Sequence, residues 1–315
     1  MAKKKRRCYS GIGGQAVMEG IMMKNGDKYA VAVRKPDGEI AVDLENYQGV
    51  LAGRKIKEIP FVRGIFNFAD SLILGTRSLN YSASFYDEEE ESGKEGKVRK
   101  ESTEKIMTAI VMILSVALAV GIFVVLPYFI TSLISENIRN RSLTLVLEGV
   151  IRIVIFVLYV WGISAMKDIR RLYRYHGAEH KCINCLERGK ELTVKNVMRS
   201  SRLHKRCGTS FIFFVLFVSI ILSFFITVEN PFYKVLLRVL MMPVVAGISF
   251  EIIRLAGRSE NIFVQLLSVP GMLIQRLTTK EPDESMVEVA ITAIEAVFDW
   301  KSYLREHFGY EPEES

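Results

Sequence analysis

The stretch IMTAIVMILSVALAVGIFVVLPYFITSLI, residues 106–134, decides the class of this protein, because it contains no charged side chain from end to end. A second uncharged run extends from Thr209 to Val228. The hydrocarbon core of a bilayer is about 30 Å thick, and a helix needs roughly 20 apolar residues to cross it. Both runs are long enough, so the sequence predicts that each forms a transmembrane helix.

Two further apolar runs contain isolated charges. Leu143–Met166 includes Glu148 and Arg152, and Val235–Phe250 includes Arg238. Glu148 and Arg152 stand four residues apart, a spacing that places both on one face of a helix, where they can pair. We therefore expect a mainly α-helical polytopic membrane protein with about four transmembrane helices.

Basic residues lie mainly between the second and third of these spans. The connector between the first two carries only Arg139 and Arg141, whereas residues 167–206 are rich in Lys and Arg. Short loops with this composition stay in the cytoplasm, and four spans would then leave both termini there as well. The four cysteines would face a reducing compartment, where metal binding is favoured over structural disulfides.

Turn signals and charges divide the rest of the chain. Residues 15–24, QAVMEGIMMK, alternate like a single strand, and turns are predicted at residues 25–27 and 36–38. The expected parts are a cytoplasmic β meander (1–58), an amphipathic or membrane-surface helix (59–86), a charged linker (87–105), a four-span domain (106–258) with a cytoplasmic His/Cys loop (167–209), and an interfacial segment with a cytoplasmic amphipathic C-terminal helix (259–315).

Three of the four histidines lie in the His/Cys loop. His176 and His180 are four residues apart, with Glu179 between them. If the second span continues as a helix through residues 169–181, both imidazoles lie on one helix face. The H-x-x-E-H order is also that of the inverted zinc-protease motif, in which two His bind Zn²⁺ and the Glu is the general base.

Three of the four cysteines also lie in this loop, and they leave the ligand choice open. His204 and Cys207 are three residues apart before the third span, and we expect them to share a helix face. With the histidine pair they would make a tetrahedral Zn²⁺ site. With Cys182 and Cys185 they have the spacing of a zinc ribbon, which would be a closed structural site. A third interpretation has no metal: the residues are solvated in a loop among basic neighbours, and the cysteines are merely packed.

Five segments of the chain form an ordered set of motifs: GGQAVMEGIMM (13–23), HGAEHK (176–181), RLHKRCGTSF (202–211), FEIIRLAGR (250–258) and LTTKEPDESMVEVA (277–290). Together they resemble the YqhQ-like family of bacterial membrane proteins, which are catalogued as predicted metal-dependent enzymes. The resemblance implies a multi-pass protein of the bacterial cytoplasmic (inner) membrane. It also implies a metal site built from the second and third motifs, with the residues His176, Glu179, His180, His204 and Cys207.

The family motifs also bear on the remaining candidates. Cys182 lies outside them, which favours the histidine set over the ribbon set. Glu19, a lone carboxylate on an apolar strand, and Glu251, at the cytoplasmic end of the fourth span, fall inside them. Both are therefore candidates for carboxylates that orient the metal ligands.

Two classes of function follow from these residues. The first is a Zn²⁺-dependent, hydrolase-like enzyme at the cytoplasmic membrane interface, with Glu179 activating water, acting on a lipid-linked or membrane-protein substrate. The second is a non-enzymatic scaffold or assembly factor whose structural zinc knuckle docks a partner or anionic lipid. In either case we expect the lipid bilayer as a partner, self-association into a homo-oligomer, and no specific nucleic-acid binding.

Overall fold

A computed structural model describes residues 7–50, 53, 59–87, 97–135, 138, 140–258 and 261–311. Residues 88–96, the centre of the predicted charged linker, lie outside the described residues. Residues 97–105, which the sequence assigns to the same linker, already belong to a helix.

The N-terminal part forms a four-stranded antiparallel meander in the order β1-β2-β3-β4. The strands are β1 (Gly13–Val17), β2 (Gly20–Asn25), β3 (Lys28–Arg34) and β4 (Ile40–Asn46). The meander is confirmed, but the single strand predicted for residues 15–24 is wrong, because β1 and β2 share that stretch.

A tight turn at Glu19 explains the division. Val17 pairs with Gly20 across the turn, and Glu19 adopts a left-handed backbone with φ of 49°. The carbonyl of Glu19 accepts a 2.9 Å hydrogen bond from the Arg34 amide. A Cβ at Gly20 would lie 2.4 Å from the carbonyl oxygen of Ala32, so glycine is needed for β2 to approach β3 here.

The described remainder of the chain is helical. The helices are α1 (Val62–Asp87), α2 (Lys97–Val120), α3 (Leu126–Ile134), α4 (Arg141–Ile163), α5 (Lys167–Glu187), α6 (Val194–Met198), α7 (Gly208–Ser223), α8 (Pro231–Leu240), α9 (Met242–Arg258), α10 (Ile262–Thr278), α11 (Glu284–Val297) and α12 (Trp300–Phe308). A π-helical turn, Gly121–Val125, joins α2 to α3.

Helices α5 and α11 cover one face of the sheet, and α1 covers the other. The largest buried apolar cluster of the described residues lies under α5 and α11, and it includes Ile21, Ile183, Leu186 and Ile294. Leu74 of α1 packs into a smaller cluster on the opposite face. We call β1–β4 with α5, α6, α11 and α12 the sheet domain.

Two helical stretches of the described chain are long and apolar enough to cross a membrane, Ile110–Ile134 and Arg141–Ile163. A third crossing is available if α8 and the following helix, which meet at a 45° bend, count as one broken span. We call α2–α4 and α7–α10 the apolar helices. By length and composition alone, the structure therefore supports two or three spans.

The expectation of four spans is not confirmed. The predicted third span, Thr209–Val228, forms the 16-residue helix α7, which at 1.5 Å per residue extends about 24 Å. The apolar run continues past the end of this helix, where the amides of residues 224–226 donate to carbonyls three residues earlier and the α-helical pattern is lost. The predicted fourth span, Val235–Phe250, crosses the bend between α8 and α9.

Candidate metal centre

Helix α5 carries the two histidines of the centre. The chain breaks after α4 at Ser164–Met166, and α5 begins at Lys167. The second span therefore does not continue as one helix through residue 181, which was the condition for a shared face. Most of the predicted His/Cys loop is helix. His176 and His180 nevertheless share one helix face, as their spacing predicts, with ring centroids 4.4 Å apart.

Cys207 approaches the histidines from the start of α7. Its backbone is extended and its side chain caps that helix, with Sγ accepting a 3.3 Å hydrogen bond from the amide of Thr209. His204 lies in the preceding loop and not on the helix. The prediction that His204 and Cys207 share a helix face is therefore wrong, because the helix begins only after Cys207.

Three donor atoms meet between these elements. The Nε2 atom of His176 lies 3.1 Å from the Sγ atom of Cys207. Nitrogen atoms of His176 and His180 and the sulfur of Cys207 all lie within 4.8 Å of one another. Two imidazoles and one thiolate are ligands that Zn²⁺ prefers, so the donor types and their convergence fit this ion.

Backbone carbonyls fix the orientation of both imidazoles. His176 donates from Nδ1 to the carbonyl oxygen of Thr278 at 2.9 Å, and His180 donates from Nδ1 to that of Arg202 at 2.7 Å. A carbonyl oxygen can only accept, so each Nδ1 carries a proton, and Nε2 is the ring nitrogen left to bind either a metal or a second proton. Hydrogen bonds of this kind are typical of metal-binding histidines.

Gly177 allows the segment that carries Thr278 to approach helix α5. A Cβ at this position would lie 2.0 Å from the carbonyl oxygen of Lys280. The segment after α10 therefore packs directly on the backbone of α5, where the amide of Lys280 also donates to Tyr173 at 2.8 Å. This contact brings the carbonyl of Thr278 to His176.

Glu179 is a buried carboxyl group next to the three donors. Its Oε2 atom is buried and has no hydrogen-bond partner. Burial raises the pKa of this carboxyl group, and the nearby His180 and His176 oppose the shift. Strand β1 packs against it so closely that a Cβ at Gly14 would lie 3.0 Å from its Cγ atom.

The thiol of Cys207 is held in a cationic environment. Burial alone raises its pKa, but the charges and hydrogen bonds of His176 and His180 outweigh this effect and hold the pKa well below the usual value. Burial alone would lower the pKa of His176, but the adjacent thiolate of Cys207 outweighs burial and raises that pKa. The pair is therefore a thiolate and an imidazolium in the absence of any other cation.

His204 does not join the three donors, although the sequence and the family motif both include it. Its Nδ1 atom accepts from the amide of Arg206 at 3.4 Å, and its Nε2 atom faces Glu187 at 3.5 Å. Its backbone is held by Gln275, which accepts from the His204 amide at 2.9 Å and donates to its carbonyl at 2.7 Å. Burial lowers the pKa of His204 to about 4, so the ring is a neutral structural group.

The cysteines of the predicted zinc ribbon lie elsewhere. Cys182 and Cys185 are both buried in the sheet-domain core, and Cys185 donates from Sγ to the carbonyl of Glu191 at 3.4 Å. Burial raises the pKa of both thiols. The structure therefore does not bring the ribbon ligand set together. The third interpretation is wrong in taking the histidines as solvated, since His180 and His204 are buried, whereas the three cysteines of this region are packed in the interior as it expects.

The two candidate orienting carboxylates form ion pairs outside the centre. Glu19 pairs with Arg171 and accepts from the hydroxyl of Tyr175 at 3.1 Å. Glu251 pairs with Arg63, whose Nε lies 2.6 Å from its Oε1. Neither belongs to the group of converging donors.

Sequence reasoning missed the groups that hold the ligands in place. The carbonyls of Thr278 and Arg202 have no signal in a sequence, because every residue has a carbonyl. Gln275 and Glu187 had a detectable signal. Gln275 is an amide within the apolar helix α10, and Glu187 is an acid in a strongly basic segment.

The chain is thus a mainly helical protein. Its described residues include two or three helices apolar enough to span a membrane and a candidate metal centre where the apolar helix α7 meets the sheet domain. Residues 59–300 match the family described as protein of unknown function (DUF1385), and the chain belongs to this family.

Among known proteins, the chain is similar to the uncharacterized protein YqhQ of Bacillus subtilis (strain 168). The two are 35% identical over 284 residues, which cover 89% of each chain. This match confirms the resemblance to the YqhQ-like family. No solved structure matches the chain.

Proposed function

We propose that this protein is a Zn²⁺-dependent hydrolase in which His176, His180 and Cys207 hold the metal. The observation that carries the proposal is the convergence of these three donors beside Glu179, a buried carboxyl group with an oxygen that has no partner. Structural zinc sites use four protein ligands, whereas catalytic sites use three and keep one position open. Three donors favour the catalytic type.

Each residue of the centre has a defined task in this proposal. Zn²⁺ bound by such a set acts as a Lewis acid and lowers the pKa of a coordinated water to about 7. The carbonyls of Thr278 and Arg202 keep the Nε2 atoms of both histidines directed at the site. Glu179 would accept and return the proton of the attacking water, because its buried carboxyl group lies beside the donors and has an oxygen without a hydrogen-bond partner.

The position of the centre indicates the class of substrate. Cys207 is followed directly by α7, an uncharged helix, so the reacting group must reach a site next to the apolar helices. A lipid-linked molecule or a membrane protein would present its scissile bond there. We propose the location that the sequence predicts, a multi-pass protein of the inner membrane with the centre on the cytoplasmic side.

A second candidate function follows from the pair of Cys207 and His176. A thiolate at a helix N-terminus, 3.1 Å from an imidazole, is also the arrangement of a nucleophilic cysteine and its base. A cysteine hydrolase would use this pair without a metal. A scaffold with a zinc knuckle has less support, because Cys182 and Cys185 lie apart from the converging donors.

Elemental analysis of the purified full-length chain separates these functions. We expect about one Zn²⁺ per chain in the wild type. The metal should be lost in His176→Ala/His180→Ala and in Cys207→Ser, and retained in Cys182→Ser/Cys185→Ser, which is the matched control. Glu179→Gln should keep the metal, since loss of metal in that variant would make Glu179 a ligand and not the general base.

The reactivity of Cys207 toward iodoacetamide provides the second measurement. A metal-bound thiolate should be protected from alkylation until a chelator removes the ion. A wild-type protein without stoichiometric metal, in which Cys207 is alkylated rapidly at neutral pH, would reject the zinc enzyme and favour the cysteine nucleophile.

A further inference from the structure

The apolar helices contain a buried group of three charges that the candidate metal centre does not use. Glu148 and Arg152 lie on α4, and Arg238 lies on α8. Glu148 accepts from Arg152 at 2.8 Å and from both terminal nitrogens of Arg238 at 2.6 and 2.9 Å. The predicted pairing of Glu148 with Arg152 is confirmed, and Arg238 joins it.

This group has one positive charge more than it can neutralise. The ion pairs of the described residues give Arg152 and Arg238 a single shared carboxylate. All three residues are at most 8% exposed, and the Nε atoms of both arginines are buried without a hydrogen-bond partner. An uncompensated buried charge is costly, so a further anion would stabilise the group.

Both arginines line a cavity of about 330 Å³ between the apolar helices. Ser219 and Ser223 are the other polar residues of its wall, and the remaining lining side chains, such as Phe156, are apolar or aromatic. Arg152 donates to Ser219 at 3.1 Å, which turns that hydroxyl toward the charged end. The volume lies at the lower end of the range of about 300–1,000 Å³ that is typical of ligand sites.

We propose that this cavity binds an anionic amphiphile, with its carboxylate or phosphate beside the guanidinium groups of Arg152 and Arg238 and one acyl chain along the apolar wall. The negative charge of the oxyanion would offset the excess positive charge of the group. A small inorganic anion would satisfy the charge but leave the apolar volume unfilled. The proposal is independent of the metal centre, because none of the three donors lines the cavity.

Native mass spectrometry of the full-length chain in detergent tests this inference with oleate as the probe. We expect one oleate per chain and binding of oleyl alcohol that is weaker by about tenfold or more, because the alcohol lacks the charge that the arginines recognise. Dioleoylphosphatidylglycerol serves as the phospholipid probe. If dioleoylphosphatidylglycerol displaces oleate, the cavity recognises what the two lipids have in common, an oxyanion and an acyl chain. Binding of only one of the two identifies the source as free fatty acid or phospholipid.

Two variants and one control make the test specific. Arg238→Met leaves Glu148 and Arg152 as a neutral pair, and oleate binding should fall by about tenfold or more. Val215→Phe fills the cavity without changing its charge and should also abolish binding, so it decides the question if the first variant does not fold. Lys234→Met removes a cation from the same helix that does not line the cavity, and binding should not change.

Three results would overturn the proposal. Equal binding of oleate and oleyl alcohol would show that charge is not recognised. Unchanged binding in folded Arg238→Met or Val215→Phe would place the ligand elsewhere. Displacement of oleate by inorganic phosphate, or no binding of either lipid, would exclude an amphiphile site.

Discussion

The two halves of helix α5 both carry a pair of metal-capable side chains, histidines in the first and cysteines in the second, and place them in different surroundings. The first half ends at His176 and His180, whose rings face polar carbonyls and a thiolate. The second half carries Cys182 and Cys185, which are buried in an apolar core. Spacing identifies which residues could bind a metal, but the surface packed against each helix face decides which of them meet further donor atoms.

Glu187 anchors the end of the second half. Its substitution should lower the free energy of unfolding more than any other change considered below. This carboxylate is fully buried and accepts from Arg7 at 3.0 Å, from Ser10 at 3.1 Å and from Arg206. Removing one partner of a buried charge pair costs about 3–5 kcal/mol, so Glu187→Gln should lower the free energy of unfolding by that amount. Urea denaturation in detergent measures it.

The exposed Glu191 provides the control for this substitution. Glu191→Gln should change the stability by less than about 0.5 kcal/mol. A loss below about 1 kcal/mol in Glu187→Gln would mean that the carboxylate contributes no more than a surface ion pair does, and the contrast between the two halves would weaken.

The next prediction concerns how the stability difference between wild type and Glu187→Gln depends on pH. Burial raises the pKa of Glu187, but His204 and Arg206 outweigh burial and hold it well below the usual value. A carboxyl group whose pKa is lowered by folding stabilises the protein above its unfolded pKa of about 4.3 and loses that contribution as the pH falls through the folded value. The stability difference between wild type and Glu187→Gln should therefore be constant from pH 8 to pH 6 and shrink below about pH 4.3. A difference at pH 3 that is as large as at pH 6 would contradict it.

In the first half, Gly177→Ala should have a large effect because the new Cβ would lie 2.0 Å from the carbonyl of Lys280. Relieving this clash must displace the segment that carries Thr278. We expect a loss of about 3 kcal/mol in stability together with loss of bound Zn²⁺. Unfolding and elemental analysis of the same preparation test both consequences.

Gly162 is the matched control, since it is also helical but a Cβ there meets nothing within 4 Å. Gly162→Ala should be neutral or stabilising by up to about 1 kcal/mol, because alanine favours the helix. Equal losses in both variants would mean that Gly177 matters only for helix formation and not for the approach to His176.

Substitutions of Cys182 should change the stability according to the polarity of the new side chain, and they should not remove the metal. Its side chain is fully buried in the sheet-domain core. Cys182→Ser places a hydroxyl group there and should cost about 1–3 kcal/mol, whereas Cys182→Ala should cost less and leave the Zn²⁺ content unchanged. If both variants lose the metal, Cys182 is a ligand after all. The ribbon ligand set would then be supported, and the contrast between the two halves of α5 would no longer hold.

The centre was predictable where one helix sets the geometry. At about 100° per residue, His180 lies about 40° around the helix from His176, whereas Cys182 and Cys185 lie about 120° and 180° away. Extending the helix to Glu187 would therefore have separated the two pairs from sequence alone. The orientation of His204 was not predictable, because it depends on a loop held by Gln275 from a distant helix.

The secondary structure was likewise predictable only where the sequence carries a local signal. Apolar runs predicted that residues 106–134 and 143–166 form long helices, and turn signals predicted the meander. The ends of the elements were missed where hydropathy does not change. The turn at Glu19 depends on a glycine facing the carbonyl of Ala32, and α7 ends at Ser223 although the apolar run continues.

The smallest expected effect concerns the N-terminal end of α5, where Arg171 pairs with Glu19 at the turn between β1 and β2. The side chain of Arg171 is 51% exposed, and exposed ion pairs contribute about 0–1 kcal/mol. Arg171→Gln should therefore lower the stability by less than about 1 kcal/mol, in contrast to the larger loss in Glu187→Gln, and it should keep the metal. A much larger loss, measured by the same urea denaturation, would mean that the left-handed backbone of Glu19 depends on this contact, since Tyr175 would then be its remaining partner on α5. In that case the first half of α5 would also be a structural anchor, and the division of the helix into a binding half and a packing half would no longer hold.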